Sequence, residues 1–333
     1  MKRVGNLMPL IADMENLREA FLLAVKGKSM RPETIRFRDH LDGNLLFLHR
    51  QLLDGSYRPP AYRRFTVWDP KERTICAAPF HERVVQHAMM RVCHRLFDDF
   101  QMSHSFASRL RLGTYKAIEH AQHCSRSNKW FLKLDVTKYF DSIDHEVLYG
   151  QLSRIVKDRL LLLYWQQLLD SYETHPGKGL PIGNLTSQYW ANHYLAVADH
   201  KAKEQLHTGK MARYMDDVVM WGNDRQELLR QGRLYEEMVR DELRLELHPF
   251  CLNRTEHGMP FLGYVVYPDR LRLSQRSRHR YRRKALLLEQ LAAMGCIPQQ
   301  QCRVSMEAML AFVKKADCDA FLRTAHFRGA PTA

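Results

Sequence analysis

The stretch Met211-Ala212-Arg213-Tyr214-Met215-Asp216-Asp217-Val218-Val219-Met220-Trp221 decides how this chain is read. It is an apolar run with two adjacent carboxylates at its centre. A short apolar run fits a buried strand, and acids in mid-run fit a tight turn between two strands. Strand, turn, strand is the expectation over 211–221. Asp is common in turns, so the pair alone is compatible with a plain polar hairpin. The tetrapeptide Tyr214-Met215-Asp216-Asp217 says more, since average residue usage gives it in roughly one chain per thousand of this length.

A further acid lies upstream. The segment Asn128-Lys129-Trp130-Phe131-Leu132-Lys133-Leu134-Asp135-Val136 alternates and reads as a strand ending near Asp135. Apolar flanks set Asp135, Asp216 and Asp217 against a core. A buried carboxylate needs a partner or takes up a proton, and adjacent carboxylates need a cation still more. Magnesium is a hard cation that prefers oxygen ligands. Two such ions about 3.5–4 Å apart can activate a primer hydroxyl and stabilise a leaving pyrophosphate.

Outward from these acids, helical spacing runs through Leu17, Phe21 and Val25 and through Leu41, Leu45 and Leu48, so residues 1–56 are expected to be helical. Residues 57–79 read as two strands about the turn Asp69-Pro70-Lys71-Glu72. A helix is expected over 80–97, one long helix from about His145 to Tyr172, and another over 185–206. Asp144 sits where it would cap the helix starting at His145. A helix after Trp221 to Leu243, short strands around 261–267 and a basic helical C-terminal region complete the pattern. This order gives an α+β fold with a split β-α-β sheet and helices on one face.

The chain has 333 residues and a net charge of +14, with a pI near 9.5. That length predicts two or three subdomains, and that charge predicts a polyanionic partner, nucleic acid first. Eight Lys or Arg residues fall between Arg270 and Lys284, as a phosphate-binding surface requires. No apolar run is long enough to span a bilayer and no signal-peptide core appears, so a cytoplasmic protein without a membrane partner is expected. The seven cysteines show no C-x-x-C pair and the histidines no H-E-x-x-H, which speaks against zinc or redox chemistry.

Taken together these blocks resemble the reverse transcriptases. Tyr214-Met215-Asp216-Asp217 is similar to the family's metal motif. The other blocks follow its order: Asp69–Ile75 with Arg83-Val84-Val85-Gln86-His87-Ala88, Ser105-Phe106-Ala107-Ser108-Arg109 with Gly113-Thr114, Leu134–Phe140 with Ser142-Ile143-Asp144, Leu180–Gln188, and Phe261-Leu262-Gly263-Tyr264. The resemblance covers about residues 60–268. It implies a right-hand polymerase with fingers, palm and thumb, the palm holding the split β-α-β sheet and the thumb being helical. An N-terminal helical segment would occupy 1–59, fingers 60–127 and 145–179, palm 128–144 and 180–268, and a basic thumb 269–333.

The resemblance also implies roles. Asp135, Asp216, Asp217 and the Val136 carbonyl would hold two Mg2+ ions, with Mn2+ as an alternative. Lys71 and Arg73 would contact the incoming dNTP, Phe140 would block a 2′-hydroxyl, and Ile182, Gly183 and Gln188 would line the template and nucleotide. Phe261, Leu262, Gly263 and Tyr264 would hold the primer end. Arg276, Arg278, Arg280, Arg282 and Arg283 would hold template RNA and the RNA–DNA duplex. The segment Leu247-His248-Pro249-Phe250-Cys251 lacks the lysine many relatives carry there. The block Leu180-Pro181-Ile182-Gly183-Asn184-Leu185-Thr186-Ser187-Gln188 has Ile182 where most relatives have Gln. It resembles the enzymes of diversity-generating retroelements, bacterial or phage-encoded, which copy a template RNA with errors at adenines. Those enzymes work with a small basic oligomeric accessory variability protein, and no RNase H, maturase or endonuclease domain is expected here. The alternatives are a related bacterial reverse transcriptase of a retron or phage-defence system, and an inactive RNA-binding scaffold.

Overall fold

The computed structural model describes residues 3–68 and 72–325. The expected N-terminal helical segment consists of four helices: α1 (Met8–Ile11), α2 (Met14–Val25), α3 (Pro32–Asp39) and α4 (Leu41–Asp54). Local chemistry divides them. Asp13 accepts the Glu15 and Asn16 amides and caps α2, while Pro32 at the first position starts α3. Strands β1 (Arg63–Trp68) and β2 (Glu72–Ala77) pair antiparallel, with Val67 opposite Arg73. Asp69, Pro70 and Lys71 lie outside the described residues. Helix α5 (Phe80–Asp98) follows as expected.

Helix α6 (Thr114–Ser127) leads into β3 (Trp130–Asp135), the short α7 (Tyr139–Ser142), α8 (His145–Ile155) and α9 (Arg159–Asp170). The single long helix expected over 145–172 is thus two helices. Asp158 makes the break. One of its carboxylate oxygens accepts the Leu161 amide and caps α9, and the other accepts the Leu7 and Met8 amides at the start of α1. Val4 pairs with Val156 in the gap, through Val4 N to the Ile155 carbonyl and Lys157 N to the Val4 carbonyl. The cap at Leu161 is local, whereas the Val4 bridge and the bonds from Asp158 to α1 depend on partners about 150 residues away in sequence.

Helix α10 (Leu185–Glu204) precedes β4 (Lys210–Tyr214) and β5 (Asp217–Gly222), the hairpin expected from the opening stretch. Next come α11 (Arg225–Leu243), β6 (Cys251–Arg254), β7 (Met259–Phe261), β8 (Tyr264–Val266) and β9 (Leu271–Leu273). Helices α12 (Gln275–Ala293), α13 (Gln299–Lys314) and α14 (Asp319–Ala325) end the described chain.

The central sheet has the order β4-β5-β3-β6 with antiparallel neighbours, and β7-β8-β9 form a second, three-stranded sheet. Strand alternation sends the residues of the central sheet into two cores. Leu132, Leu134, Val218 and Met220 join a core shared with α1, α2, α4, α5 and α8–α11. Phe131, Ala212, Val219 and Trp221 join another, with α6, β7–β9 and the C-terminal helices. A one-residue slip would exchange both faces, and each large apolar side chain moved into water costs about 1.5–3 kcal/mol. Register is therefore held from both sides. Helix α6 packs on β4 and β8. Its apolar stripe Ala117, Ile118, Ala121 and Cys124 faces the second core.

Candidate active site

The sheet register brings the acids together. Asp135 ends β3 directly opposite Asp217, which begins β5, and Tyr214 pairs with Asp217 across the β4–β5 turn. Met215 and Asp216 form that turn, with Met215 at φ 60°. A left-handed backbone is uncommon for a long side chain and stores strain on the order of 1–3 kcal/mol. Arg213 offsets it. Its guanidinium donates to the Met215 carbonyl at 3.0 Å, to Asp199 Oδ2 at 2.6 Å, to Asn192 Oδ1 at 2.7 Å and to Gln101 Oε1 at 2.9 Å. Arg213 and Asp199 are both 0% exposed, so the turn hangs from a buried ion pair between β4 and α10. The Arg213 amide and carbonyl also bond the His104 carbonyl and the Phe106 amide, which lays the 105–109 block beside β4.

Residues 131, 133 and 135 share one face of β3. Lys133 consequently stands beside the acids, its Nζ 2.9 Å from Asp217 Oδ2 and 3.2 Å from the Pro260 carbonyl. Burial pushes the Asp217 carboxyl up to about 6 against the pull of Lys133, with Asp135 and Asp216 pushing the same way. Burial also raises Asp216, helped by the Asp135 charge and opposed by Arg73 and Lys133. Asp217 Oδ1 is buried without a hydrogen-bond partner. Among the described residues no three carboxylate, imidazole or thiol groups are gathered closely enough to ligate one ion. Asp135 is exposed rather than set against a core as expected, while Asp216 and Asp217 are half-buried. The donor chemistry nevertheless suits a hard cation, with three carboxylates at one sheet end, one orphaned oxygen, and a lysine standing where positive charge is needed. The bridge from Val136 to Leu247 uses the Thr137 amide and the Asp135 carbonyl, so the Val136 carbonyl stays out of it.

The exposed Arg73 on β2 lies near enough to hold the Asp216 carboxyl down. The hairpin that bears it is tied to the 180–188 block by Cys76 N to the Ile182 carbonyl at 2.8 Å. Gly183, at φ 120°, lies so close to this strand that a Cβ would meet the Cys76 carbonyl oxygen at 2.9 Å. Ile182 is half-buried, and Gln188 is exposed, 3.5 Å from Ser108 Oγ. Phe140 is half-buried against the first core, and its carbonyl accepts the Leu180 amide at 2.7 Å. Asp144 caps α8 at the Val147 amide, as expected, and pairs with Arg244 at 3.0 Å.

This arrangement has relatives. The family model "Reverse transcriptase (RNA-dependent DNA polymerase)" matches residues 69–266. The chain belongs to the reverse transcriptase family. It is 24% identical over 242 residues to Protein YkfC of Escherichia coli (strain K12), covering 66% of this chain and 62% of that protein. It is 26% identical over 161 residues to the group II intron-encoded protein LtrA of Lactococcus lactis subsp. cremoris, covering 45% of this chain and 26% of LtrA. The chain thus spans only part of its curated relatives. A solved telomerase from Candida tropicalis, in complex with a TWJ fragment of telomeric RNA, superposes with TM-score 0.51 at 10% identity, covering 82% of this chain and 55% of that one. That likeness concerns the fold alone, and it agrees with a right-hand polymerase.

In this reverse transcriptase the 261–264 block is a two-residue hairpin turn, with Leu262 at φ 48° and Gly263 at φ 88°. Phe261 and Tyr264 are buried in the second core, and the Tyr264 hydroxyl donates to the Phe312 carbonyl at 2.7 Å. Of the four residues expected to hold a primer, Phe261 and Tyr264 are buried, and Leu262 and Gly263 form the turn. The five C-terminal arginines divide by helical position on α12. Arg276, Arg280 and Arg283 fall on one exposed stripe. Arg282 is exposed as well but lies over the Phe321 ring at 5.2 Å, and Arg278 is half-buried. Sequence reading missed Lys133 and Arg213. The signal for Lys133 is its place two residues before Asp135 in a strand. The signal for Arg213 is a cation inside an apolar run, which demands a buried partner.

No helix among the described residues is long and apolar enough to cross a membrane.

Proposed function

We propose that this reverse transcriptase copies template RNA into DNA at Asp135, Asp216 and Asp217, as the enzyme of a diversity-generating retroelement. The observation behind the catalytic assignment is the register of Asp135 against Asp217, with Asp216 in the adjoining turn. Two magnesium ions held by these carboxylates and the Val136 carbonyl would supply primer-hydroxyl activation and charge neutralisation at the pyrophosphate. The protein's own part is positioning. Lys133 neutralises Asp217 until that carboxylate is needed, and Arg213 keeps the Met215 turn in its left-handed conformation. Arg73 stands beside Asp216, where a guanidinium can take a triphosphate oxygen pair. Phe140 is assigned the exclusion of a 2′-hydroxyl and the Leu262-Gly263 turn the primer end. In this reading β1, β2 and α5 belong to the fingers, the central sheet to the palm, and α12–α14 to the thumb.

The retroelement assignment, with its adenine errors and its accessory variability protein, rests on Ile182. A Gln at this place can hydrogen-bond beside the nascent base pair, and isoleucine cannot. A net hydrogen bond of about 0.5–1.5 kcal/mol changes selectivity roughly two- to tenfold. The test is to sequence cDNA made on one RNA by the wild type and by Ile182→Gln, scoring errors opposite adenine separately. The expected result is frequent adenine errors in the wild type that fall severalfold in the variant. Ordinary fidelity in the wild type would overturn the assignment. The likeness to LtrA supports a second reading, a group II intron-type enzyme, for which adenine errors would be no more frequent than others.

A further inference from the structure

The block 83–88 belongs to the matched family region, yet nothing above gives Arg83 or His87 a task. They lie one turn apart on α5 and share a face. Against that face sits the turn joining α2 to α3, closed by Lys28 N to the Val25 carbonyl and Arg31 N to the Lys28 carbonyl. This turn carries Lys26, Lys28 and Arg31. Five basic groups thus gather about one acid, Glu33, whose Oε1 is 3.5 Å from the Arg83 guanidinium, too long for a strong pair. Arg83 Nε is buried without a hydrogen-bond partner, while its guanidinium lies over the Phe80 ring. Burial and the Arg83 and Arg31 charges lower the Lys28 ammonium, and burial with Lys28, Arg83 and Lys26 lowers His87. These groups repel one another as they stand. The next residue on the stripe, Arg91, differs: it bonds Asn16 Oδ1 at 3.0 Å and Glu19 at 3.7 Å.

We infer that Lys28, Arg31, Arg83 and His87, with Lys26 at the rim, form a phosphate-binding site for single-stranded RNA on the outer side of α5. The ligand chemistry follows from the donor set: cations and a guanidinium, short of acceptors, on an exposed turn. RNA is the favoured source because of where the site lies. The neighbouring stripe of the same helix reaches the template block, with Gln86 Oε1 accepting the Leu185 amide at 3.2 Å. A template strand held outside α5 would therefore be anchored one helix away from Ile182 and Gly183. The inference needs only that the chain handles RNA, and is independent of the retroelement assignment and of catalysis.

The test is binding of a labelled single-stranded RNA oligonucleotide by the full chain, in EDTA and without nucleotides, over a series of KCl concentrations. Failure of the catalytic reading would leave this measurement untouched. Lys28→Gln combined with Arg31→Gln should weaken binding and flatten the log–log salt slope by about 1.4, at about 0.7 for each phosphate no longer neutralised. Glu33→Gln should do the reverse and tighten binding, since it removes the competing carboxylate. An unchanged slope in a double variant that melts like the wild type would overturn the site, as would weaker binding by Glu33→Gln. If inorganic phosphate raises the melting temperature of the wild type but not of the double variant, while the RNA slope stays the same, the ligand is a free phosphate and the RNA assignment falls.

Discussion

At the scale of single residues, the site sets function against stability. Asp217 has a carboxyl raised to about 6 by burial. A raised carboxyl takes up protons more readily in the folded state, so stability is lost as pH rises from the ordinary Asp value to about 6 and stays lost above it. Asp217→Asn should therefore abolish DNA synthesis, because a ligand and a charge leave the two-metal site. It should also raise stability at pH 7.5 by about 1–3 kcal/mol, less whatever Lys133 loses as a partner. Primer extension and urea denaturation check the two halves separately. Synthesis by the folded variant near the wild-type rate would remove Asp217 from the site. Arg213 sets the opposite case. Arg213→Gln leaves Asp199 buried without a counter-charge and should cost about 3–5 kcal/mol. Arg213→Lys keeps the charge but cannot reach Asp199, Asn192 and the Met215 carbonyl together. Its expected signature is a fall in kcat larger than the change in melting temperature accounts for, with the KM for dNTP little changed. A kcat that simply follows stability would make Arg213 a core residue and nothing more.

At the scale of elements, α5 is the helix on which α1, α2, α3 and α10 meet. On its inner face Glu82 is fully buried and accepts the Tyr57 hydroxyl at 2.8 Å, the Tyr164 hydroxyl at 2.7 Å and the Gln86 amide at 2.9 Å. These bonds tie α5 to α9 and to the segment after α4. Burial raises the Glu82 carboxyl despite its three donors. Its contribution to stability is thus present in full below the ordinary Glu value and lost as pH rises above it. Glu82→Gln keeps the size and removes the titration. The difference in unfolding free energy, variant minus wild type, should become more favourable between pH 4.5 and pH 7.5, measured by urea denaturation at each pH. A difference independent of pH would mean that the wild-type carboxyl titrates as it does in the unfolded chain.

At the scale of the whole molecule, net charge and its placement bear on the proposed binding of nucleic acid. The charge of +14 steers any polyanion, but only arginines on an open face convert it into phosphate contacts. On α12 the exposed stripe of Arg276, Arg280 and Arg283 is the candidate for the duplex. Replacing Arg276 and Arg283 by Gln should flatten the salt dependence of duplex binding by roughly two units of slope. Replacing Arg278 and Arg282 should instead lower the melting temperature, because Arg282 packs on Phe321. Equal slopes for the two pairs would mean that helical position does not select the contacts.

The residue sequence by itself marked most of the elements and the three acids. Alternation marked β3, an apolar run with acids at its centre marked the β4–β5 hairpin, helical spacing marked α5, and the acids among apolar flanks marked carboxylates in need of a cation. These are local properties: period, propensity and the cost of burying charge act over a few residues. The tertiary structure decided what depends on distant partners. Asp158, which caps α9 locally where one helix was expected over 145–172, also ties that break to the start of α1 through its second carboxylate oxygen. Lys133 neutralises Asp217 because β3 and β5 pair in one register. Tyr264 packs on Phe312 because α13 lies against the second sheet, and Arg282 lies over Phe321 because α14 lies beside α12. A pattern along the chain specifies which face a residue takes, and the element packed there decides what that residue touches.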